Sequence, residues 1–322
     1  MTENNEKQYV IGLDMGGTNS VFGIVDQRGT VKATSVISTK AYPDVNDYVA
    51  AGVQALQPAL DLIGGIENVK GMGIGAPNAN FYSGMIEYAP NLLWKGLVPI
   101  AKLFEDALGI PARVTNDANA AALGEMTYGV ARGMKNFIMI TLGTGVGSGI
   151  VVNGELVYGS DGFAGELGHA IVDRSEHARE CGCGRKGCLE TYCSATGVAR
   201  TARMFLEQSD EPSQLRNLKP EEITSFEVYK AAEAGEKIAK DIFDYTGEIL
   251  GAACANYALF NAPEAIVFFG GLTKAGHWIM DPIQKAFDEN SLFTYKGKCK
   301  LLVSTLNGSE AAVLGASALG WE

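Results

Sequence analysis

Apolar positions along the chain fall into short runs broken by Gly-rich turns and longer stretches with helical spacing. Tyr9 to Leu13 is a short apolar run, Asp14-Met15-Gly16-Gly17-Thr18-Asn19 interrupts it, and Val21 to Val25 resumes it. Two β-rich runs joined by a Gly-rich turn predict a hairpin. The same pattern returns in the second half. Phe137 to Leu142 is apolar, Gly143-Thr144-Gly145-Val146-Gly147-Ser148-Gly149 is the expected turn, and Ile150 to Val152 continues the strand. A strand, a Gly-Thr turn and a second strand in each half predict two homologous lobes facing each other.

The segments between are helices and further strands. Asp44 to Ile63 has helical spacing, with Pro58 expected to kink or split it. Val69 to Ile74 is a buried strand opening into Gly75-Ala76-Pro77-Asn78. Leu97 to Leu108 is an amphipathic helix that stops at Gly109 and Pro111. Ala112 to Thr115 is a short strand, followed by Asn116-Asp117-Ala118-Asn119-Ala120. Later, Ala195 to Glu207 and Phe226 to Phe260 are helical, the second interrupted near Gly235. Ala265 to Phe269 is the continuous apolar run of a buried strand, and Gly270-Gly271-Leu272-Thr273 leads from it into a helix through Met280 to Phe287. Alternating strands and helices mean α/β. An Ala-rich helix from Ser309 to Leu319, opened by Ser309-Glu310, is too small and apolar to stand alone. It is expected to pack on the first lobe, which makes that lobe discontinuous.

Composition bounds the function. With 322 residues, 47% of them hydrophobic and 20% charged, the chain is ordinary globular material and too long for one small core, so two lobes are expected. A net charge of -11 argues against a nucleic-acid partner, which would require basic patches. Met1 to Lys7 is polar with no apolar h-region, and no apolar run approaches a membrane span. The expectation is a cytoplasmic protein with no membrane partner.

Candidate chemistry concentrates between Gly165 and Glu190. Gly165-Glu166-Leu167-Gly168-His169 is followed by Cys181-Gly182-Cys183 and by Cys188-Leu189-Glu190. In a chain with no secretion signal, clustered cysteines point to metal ligation rather than disulfides. One His and three Cys make a tetrahedral Cys₃His set of the closed, structural kind. A bound zinc is therefore expected to order this Gly-rich loop and present Glu166 and Glu190 to a ligand. His177 is the rival fourth ligand, but its Ser-Glu-His-Ala-Arg surroundings resemble exposed loop, which favours His169. Of the other cysteines, Cys254 is expected to be a core thiol, and Cys193 and Cys299 have no obvious partner.

The turns carry weaker signals. Gly16 and Gly17 can bring backbone N–H groups close to an anion, with the Thr18 hydroxyl beside them, although a plain hairpin turn explains the same residues. Two such turns from facing lobes could hold a polyphosphate. Neither fits the P-loop, and Gly71-Met72-Gly73-Ile74-Gly75 lacks the third spaced glycine of a dinucleotide fingerprint and is broken by Pro77. Asn116 or Asp117 stands where a strand gives way to a helix, as an N-cap or as a carboxylate exposed at the carboxyl end of a strand, where α/β sheets bind ligands. Gly270-Gly271 suits a nucleotide-binding edge or a tight βα turn.

In this order and at these separations, the Asp14 turn, Asn116-Asp117-Ala118-Asn119-Ala120, Thr141 to Gly149, and Glu166 to His169 with the cysteine cluster and Glu190 make the chain resemble the ROK family of sugar kinases. That family belongs to the actin/hexokinase-like superfamily. The resemblance runs nearly end to end and is strongest to the glucokinase branch. It implies two ribonuclease H-like lobes with an interlobe cleft: a small lobe of 1–116 plus 306–322, and a large lobe of 117–305 carrying the zinc loop. It implies Mg-ATP-dependent transfer of the γ-phosphoryl group to a hexose 6-hydroxyl, glucose foremost, with another hexose or an N-acetylhexosamine as the alternative. Asp117 takes the place of the general base. Gly75, Asn78, Asn91, Asn116, Asp117, Glu166, His169 and Glu190 fall on sugar contacts. Asp14, Gly16, Gly17, Thr18, Asn19, Thr144 and Gly145 fall on the phosphate side, with Gly270 and Gly271 on the adenosine side. His169, Cys181, Cys183 and Cys188 fall on zinc ligands. A homodimer is also implied. The chain departs from the family at Asn78 and Leu93, where many members carry Gly, and at Phe269, ahead of a Gly pair where relatives often carry three. Some members are repressors with an N-terminal helix-turn-helix. Here the Asp14 turn begins almost at the N-terminus, leaving no room for one, so a kinase is expected over a non-catalytic sugar sensor.

Overall fold

The computed structural model describes residues 7–306 and 308–322. Most of the polar N-terminal stretch, Met1 to Glu6, and the Ser309 side chain expected to open the last helix lie outside the described part. The chain divides into two units. The first comprises Met1–Met134, Glu155–Ala164 and Thr305–Glu322, and the second Lys135–Gly154 and Gly165–Ser304. The two are of nearly equal length, where the sequence suggested a small and a large lobe. Asp117–Met134 and Glu155–Ala164 belong with the first unit, where the sequence placed them in the second.

The first unit is built on β1 (Tyr9–Met15), β2 (Asn19–Asp26), β3 (Val31–Ser38), β4 (Val69–Gly75) and β8 (Ala112–Thr115), in the order β3-β2-β1-β4-β8. β1 and β2 form the expected hairpin, paired antiparallel from Tyr9 opposite Asp26 to Met15 opposite Ser20. β4 and β8 extend the sheet in parallel. A small antiparallel sheet, β5 (Ala79–Asn80), β6 (Met85–Glu87) and β7 (Leu97–Val98), follows β4.

Helix α1 (Val45–Leu62) starts at Asp44, whose carboxylate accepts from Asn46 N at 2.7 Å. It runs unbroken through Pro58, against the expectation of a kink. Pro58 lies on the exposed side, where a carbonyl that loses its intrahelical partner can meet water, and the neighbouring Ala55 carbonyl accepts from Ser35 Oγ at 2.6 Å. Helix α2 (Ile100–Leu108) is shorter than the apolar pattern predicted, because Pro99 ends β7 and caps the helix start. Gly109, at φ 69°, ends it as expected.

Helices α3 (Asp117–Tyr128) and α9 (Gly308–Ala318) complete the first unit. α9 packs on this unit as the sequence predicted, with Val313 and Leu314 buried against Val10 and Val25. The approach is close. A Cβ on Gly73 would stand 1.8 Å from the Ala316 carbonyl oxygen, so only glycine fits under this helix. Leu156, in the short β11 (Glu155–Leu156), packs with Leu123 of α3.

The second unit repeats the central pattern. β9 (Phe137–Leu142) and β10 (Val146–Val152) form an antiparallel hairpin, and β12 (Ala265–Phe269) and β13 (Lys300–Val303) continue the sheet in parallel. Strand order β10-β9-β12-β13 thus reproduces β2-β1-β4-β8, the ribonuclease H-like arrangement expected of each half. The turn is tighter than predicted: Gly143–Gly145 alone is turn, and Val146–Gly149 already pairs with β9. The helices are α4 (Glu190–Cys193), α5 (Ala195–Gln208), α6 (Ser225–Glu233), α7 (Lys237–Asn261) and α8 (His277–Asn290). α6 and α7 are parted at Gly235, φ 84°, where the sequence placed the interruption. Residues Gly271–Ala275 form a 3₁₀ turn before α8. The core gathers Ile138, Ile140, Phe243, Leu250, Ile266 and Phe268, and includes Cys254 as expected. Among the described residues no helix is long and apolar enough to cross a membrane.

Candidate functional site

In the first unit the polar candidates cluster at the carboxyl ends of β1, β4 and β8. Asp14 is the penultimate residue of β1, and Gly16, Gly17 and Thr18 form the turn into β2, which Asn19 opens. Gly16 N donates to Asn19 O at 3.0 Å. Gly17 backs directly on the Asn91–Trp94 loop, since a Cβ there would lie 2.9 Å from the Asn91 carbonyl oxygen. Gly75 ends β4, buried against Ala120 of α3.

Asn116 and Asp117 divide the two roles left open by the sequence. Asn116 is the N-cap, its side chain accepting from Asn119 N at 2.6 Å. Asp117 is the first helical residue, its carboxylate accepting from Ala118 N at 2.9 Å, so it is free of the capping duty. Solvent reaches its side chain, yet the surrounding protein raises its carboxyl above the ordinary range by desolvation. Asp14 is pushed up to about 6, first by burial and then by the negative charge of Asp117. A buried carboxylate whose proton affinity is raised by a second one nearby suits proton transfer or a shared cation.

Asn78 shows why its departure from the family pattern is tolerated. It adopts φ 52°, in the left-handed region that Gly fills freely and Asn fills better than most. Its amide donates to Glu87 O at 3.2 Å and so braces the β5–β6 hairpin. Asn119 is a group the sequence left unassigned. It is 1% exposed, and neither side-chain polar atom has a hydrogen-bond partner among the described residues.

In the second unit Glu190, the first residue of α4, lies at the meeting point of the metal loop and the second turn. Its Oε1 accepts from Cys181 Sγ at 3.0 Å and lies 3.8 Å from His169 Nδ1. Its Oε2 would be 2.7 Å from a Cβ on Gly145, so the turn requires glycine there. Thr144 O accepts from Thr196 Oγ1 at 2.7 Å, and Gly143 O from Ala195 N at 2.8 Å. Gly270 leaves β12 at φ 114°, with the place of a Cβ 2.4 Å from Leu142 O, while Gly271 has open space around it. Glu166 is exposed and precedes the 3₁₀ turn Leu167–His169, which is anchored by Ser148 Oγ to Gly165 O and by Tyr257 Oη to Leu167 O.

The donor atoms of His169, Cys181, Cys183 and Cys188 lie within 4.8 Å of one another. Zinc bonds of about 2.3 Å to sulfur and 2.0–2.1 Å to nitrogen place tetrahedral ligand atoms roughly 3.6–3.8 Å apart. Cys183 and Cys188 sulfurs are separated by 3.6 Å, and Cys181 Sγ lies 3.6 Å from His169 Nδ1. A disulfide requires about 2.05 Å, and all six cysteines are free. The set fits zinc, with Nδ1 as the histidine donor. Burial pushes the Cys183 thiol up, but Arg185 hydrogen bonds from backbone and side chain outweigh this and hold it at about 6, which favours thiolate. His177 is exposed and outside the cluster.

The ROK family model matches residues 10–322. The chain is 36% identical to a glucokinase of Halalkalibacterium halodurans over 98% of this chain and 94% of the relative. It superposes on a ROK family glucokinase from Streptomyces griseus, in complex with glucose and AMPPNP, with a TM-score of 0.77 and 31% identity, covering 97% of this chain and 98% of that one. A ROK family transcriptional regulator, a homologue of the E. coli MLC protein, matches with a TM-score of 0.86 and 26% identity, over 99% of this chain and 79% of that one.

Proposed function

The chain belongs to the ROK family, and within it we propose a sugar kinase that transfers the γ-phosphoryl group of ATP to a hexose 6-hydroxyl, glucose being the first candidate. The supporting relatives are glucokinases, and one of the matched structures holds glucose and an ATP analogue. The observation that carries a catalytic reading over a purely sensing one is Asp117. It is left uncommitted to capping by Asn116, its charge is felt by Asp14, and its own proton affinity is raised by desolvation.

Phosphoryl transfer asks the protein for alignment and charge compensation more than covalent help. Asp117 would take the proton of the attacking hydroxyl, a contribution of order 10²–10⁴-fold. Backbone N–H groups of the Gly16–Thr18 and Thr144–Gly145 turns would cradle phosphate oxygens, and Asn19, Gly270 and Gly271 would complete the nucleotide side. Asp14, beside the first turn, would hold Mg²⁺, which would compensate phosphate charge. Asn78, Asn91, Asn116, Glu166, His169 and Glu190 would pair sugar hydroxyls, with Gly75 letting the chain pass closely. A site that pairs each hydroxyl discriminates against an analogue lacking one, because its own buried group is then orphaned. The zinc would be structural, with four protein ligands and no open position, and would leave His169 Nε2 available to the sugar.

The deciding experiment is ATP-dependent phosphorylation across a panel of hexoses and N-acetylhexosamines, read by ADP release. Turnover with glucose as the best substrate is expected, and a better N-acetylhexosamine or mannose would reassign the sugar. No turnover with any sugar, together with retained sugar binding, would replace the kinase with a non-catalytic sugar sensor, a reading favoured by the match to a transcriptional regulator.

A further inference from the structure

Three buried hydroxyls run from the core of the first unit to the Gly16–Asn19 turn. Tyr48 Oη donates to Ser20 Oγ at 2.7 Å, Ser20 Oγ lies 2.8 Å from Thr39 Oγ1, and Thr39 Oγ1 donates to Gly16 O at 2.8 Å. Exposure is 0% for Tyr48 and Ser20 and 2% for Thr39. The direction of the chain is fixed by its end. Gly16 O can only accept, so the Thr39 proton points there, Thr39 accepts from Ser20, and Ser20 accepts from Tyr48. Thr39 also holds the turn a second time, its backbone N donating to Thr18 O at 2.8 Å.

The tyrosine that starts this chain is tied to the opposite side of the same turn. Its ring packs on Trp94, centroids 4.7 Å apart at 55°, and edge-on to Phe104 at 6.2 Å. Trp94 closes the Asn91–Trp94 loop, donating from Nε1 to Tyr42 O at 3.0 Å, and it is Asn91 of that loop that backs on Gly17. Tyr48 therefore reaches the turn by its hydroxyl on one side and through Trp94 on the other. Stability alone does not call for this arrangement, since replacing both partners of a buried hydrogen bond by apolar groups of the same shape can be nearly neutral.

We propose that Thr39, Ser20 and Tyr48 are positioning residues that set the Gly16–Asn19 turn for nucleotide phosphate and couple it to the sugar-side loop. The proposal rests on reading that turn as phosphate-binding. Burial pushes the Tyr48 phenol up, so it remains a donor across the working pH range.

The test compares Thr39→Val, Thr39→Ser and Tyr48→Phe with the wild type. Thr39→Val removes the donor to Gly16 O at constant shape. It is expected to raise the KM for ATP by about tenfold, the worth of one buried hydrogen bond, while the KM for hexose stays within about twofold. Thr39→Ser keeps the donor and restores the ATP KM, and Tyr48→Phe, which leaves the last two links intact, gives a smaller rise of about threefold. Amide hydrogen exchange over residues 15–20 of the ligand-free protein is expected to quicken about tenfold in Thr39→Val. An unchanged ATP KM, or equal rises for ATP and hexose with a lowered melting temperature, overturns the proposal. Should the wild type phosphorylate no hexose, the kinase reading falls by itself, and unchanged exchange in Thr39→Val then overturns the relay independently.

Discussion

Asp14 should cost the fold stability at neutral pH, and Asp14→Asn measures how much. Its carboxyl is raised from the ordinary 3.8 to about 6 by burial and by Asp117. A carboxyl raised in the folded state contributes stability that is fully present below pH 3.8 and lost as the pH rises through 6, because the folded chain binds the proton more tightly. The difference between 3.8 and about 6 corresponds to about 3 kcal/mol. Residual solvent access to the side chain discounts this to about 1–3 kcal/mol. Asparagine mimics the protonated acid at every pH, so Asp14→Asn is expected to be more stable than wild type by that amount at pH 7.5 and equal to it near pH 4.

Urea unfolding followed by tryptophan emission reads this directly. A Trp278→Phe background confines the signal to Trp94 and Trp321, which share a unit with Asp14. With urea slopes of about 1–3 kcal/mol/M, the midpoint should move by roughly 1 M. The comparison is made without magnesium, which would compensate the charge, and without nucleotide, which would stabilise the folded chain by binding it. A variant no more stable than wild type at pH 7.5, or a gain that persists unchanged at pH 4, refutes the reasoning. The same variant should lose most of its turnover, so that stability gained and activity lost appear in one substitution.

Two further outcomes follow from the site. Asp117→Asn should lower kcat by about 10²–10⁴-fold while hexose affinity, by calorimetry, changes little; appreciable turnover would exclude Asp117 as the base. Because its carboxyl is raised, the wild-type kcat should fall as pH drops through a range above that of ordinary carboxylates. Metal analysis should give about one zinc per chain, as a single closed site requires. Cys188→Ser should lose that zinc and weaken hexose binding by about 10–100-fold, and an active wild type free of zinc would refute the loop's dependence on metal.

The sequence carried the β-hairpins, the parallel strands and the docking of the last helix, because each has a local signature: a continuous apolar run, a Gly-rich turn, or an Ala-rich helix with nothing else to bury it. It was less informative wherever tertiary context overrode a local rule. Pro58 does not break α1, because the helix turns that residue to solvent. Pro99 shortens α2 because a strand ends there. The gathering of His169, Cys181, Cys183 and Cys188 was legible from spacing, since Cys-X-Cys with a third Cys has few other uses than holding a metal. The hydroxyl chain was not. Ser20, Thr39 and Tyr48 are 19 and 28 residues apart along the pairs they form, and no motif marks them. The one signal was tyrosine at an otherwise apolar helix position, and a core aromatic explains that equally well without the fold.

The Cys₃His loop is joined to the second turn through one carboxylate held at both ends. Cys188 is two residues ahead of Glu190, and Glu190 in turn touches Cys181 with one oxygen and faces Gly145 with the other. The backbone that follows is bonded to the same turn: Ser194 Oγ donates to Glu190 O at 2.6 Å, and Ala195 N and Thr196 Oγ1 donate to the carbonyls of Gly143 and Thr144. The Cys₃His cluster, Glu190 and the Gly143–Gly145 turn are thus one hydrogen-bonded body, although the turn and Cys188 are far apart in sequence. On the proposed function, the carboxylate that would read the sugar could not move without disturbing the turn that would hold phosphate. This would be a physical reason for four ligands to hold a metal with no part in bond making.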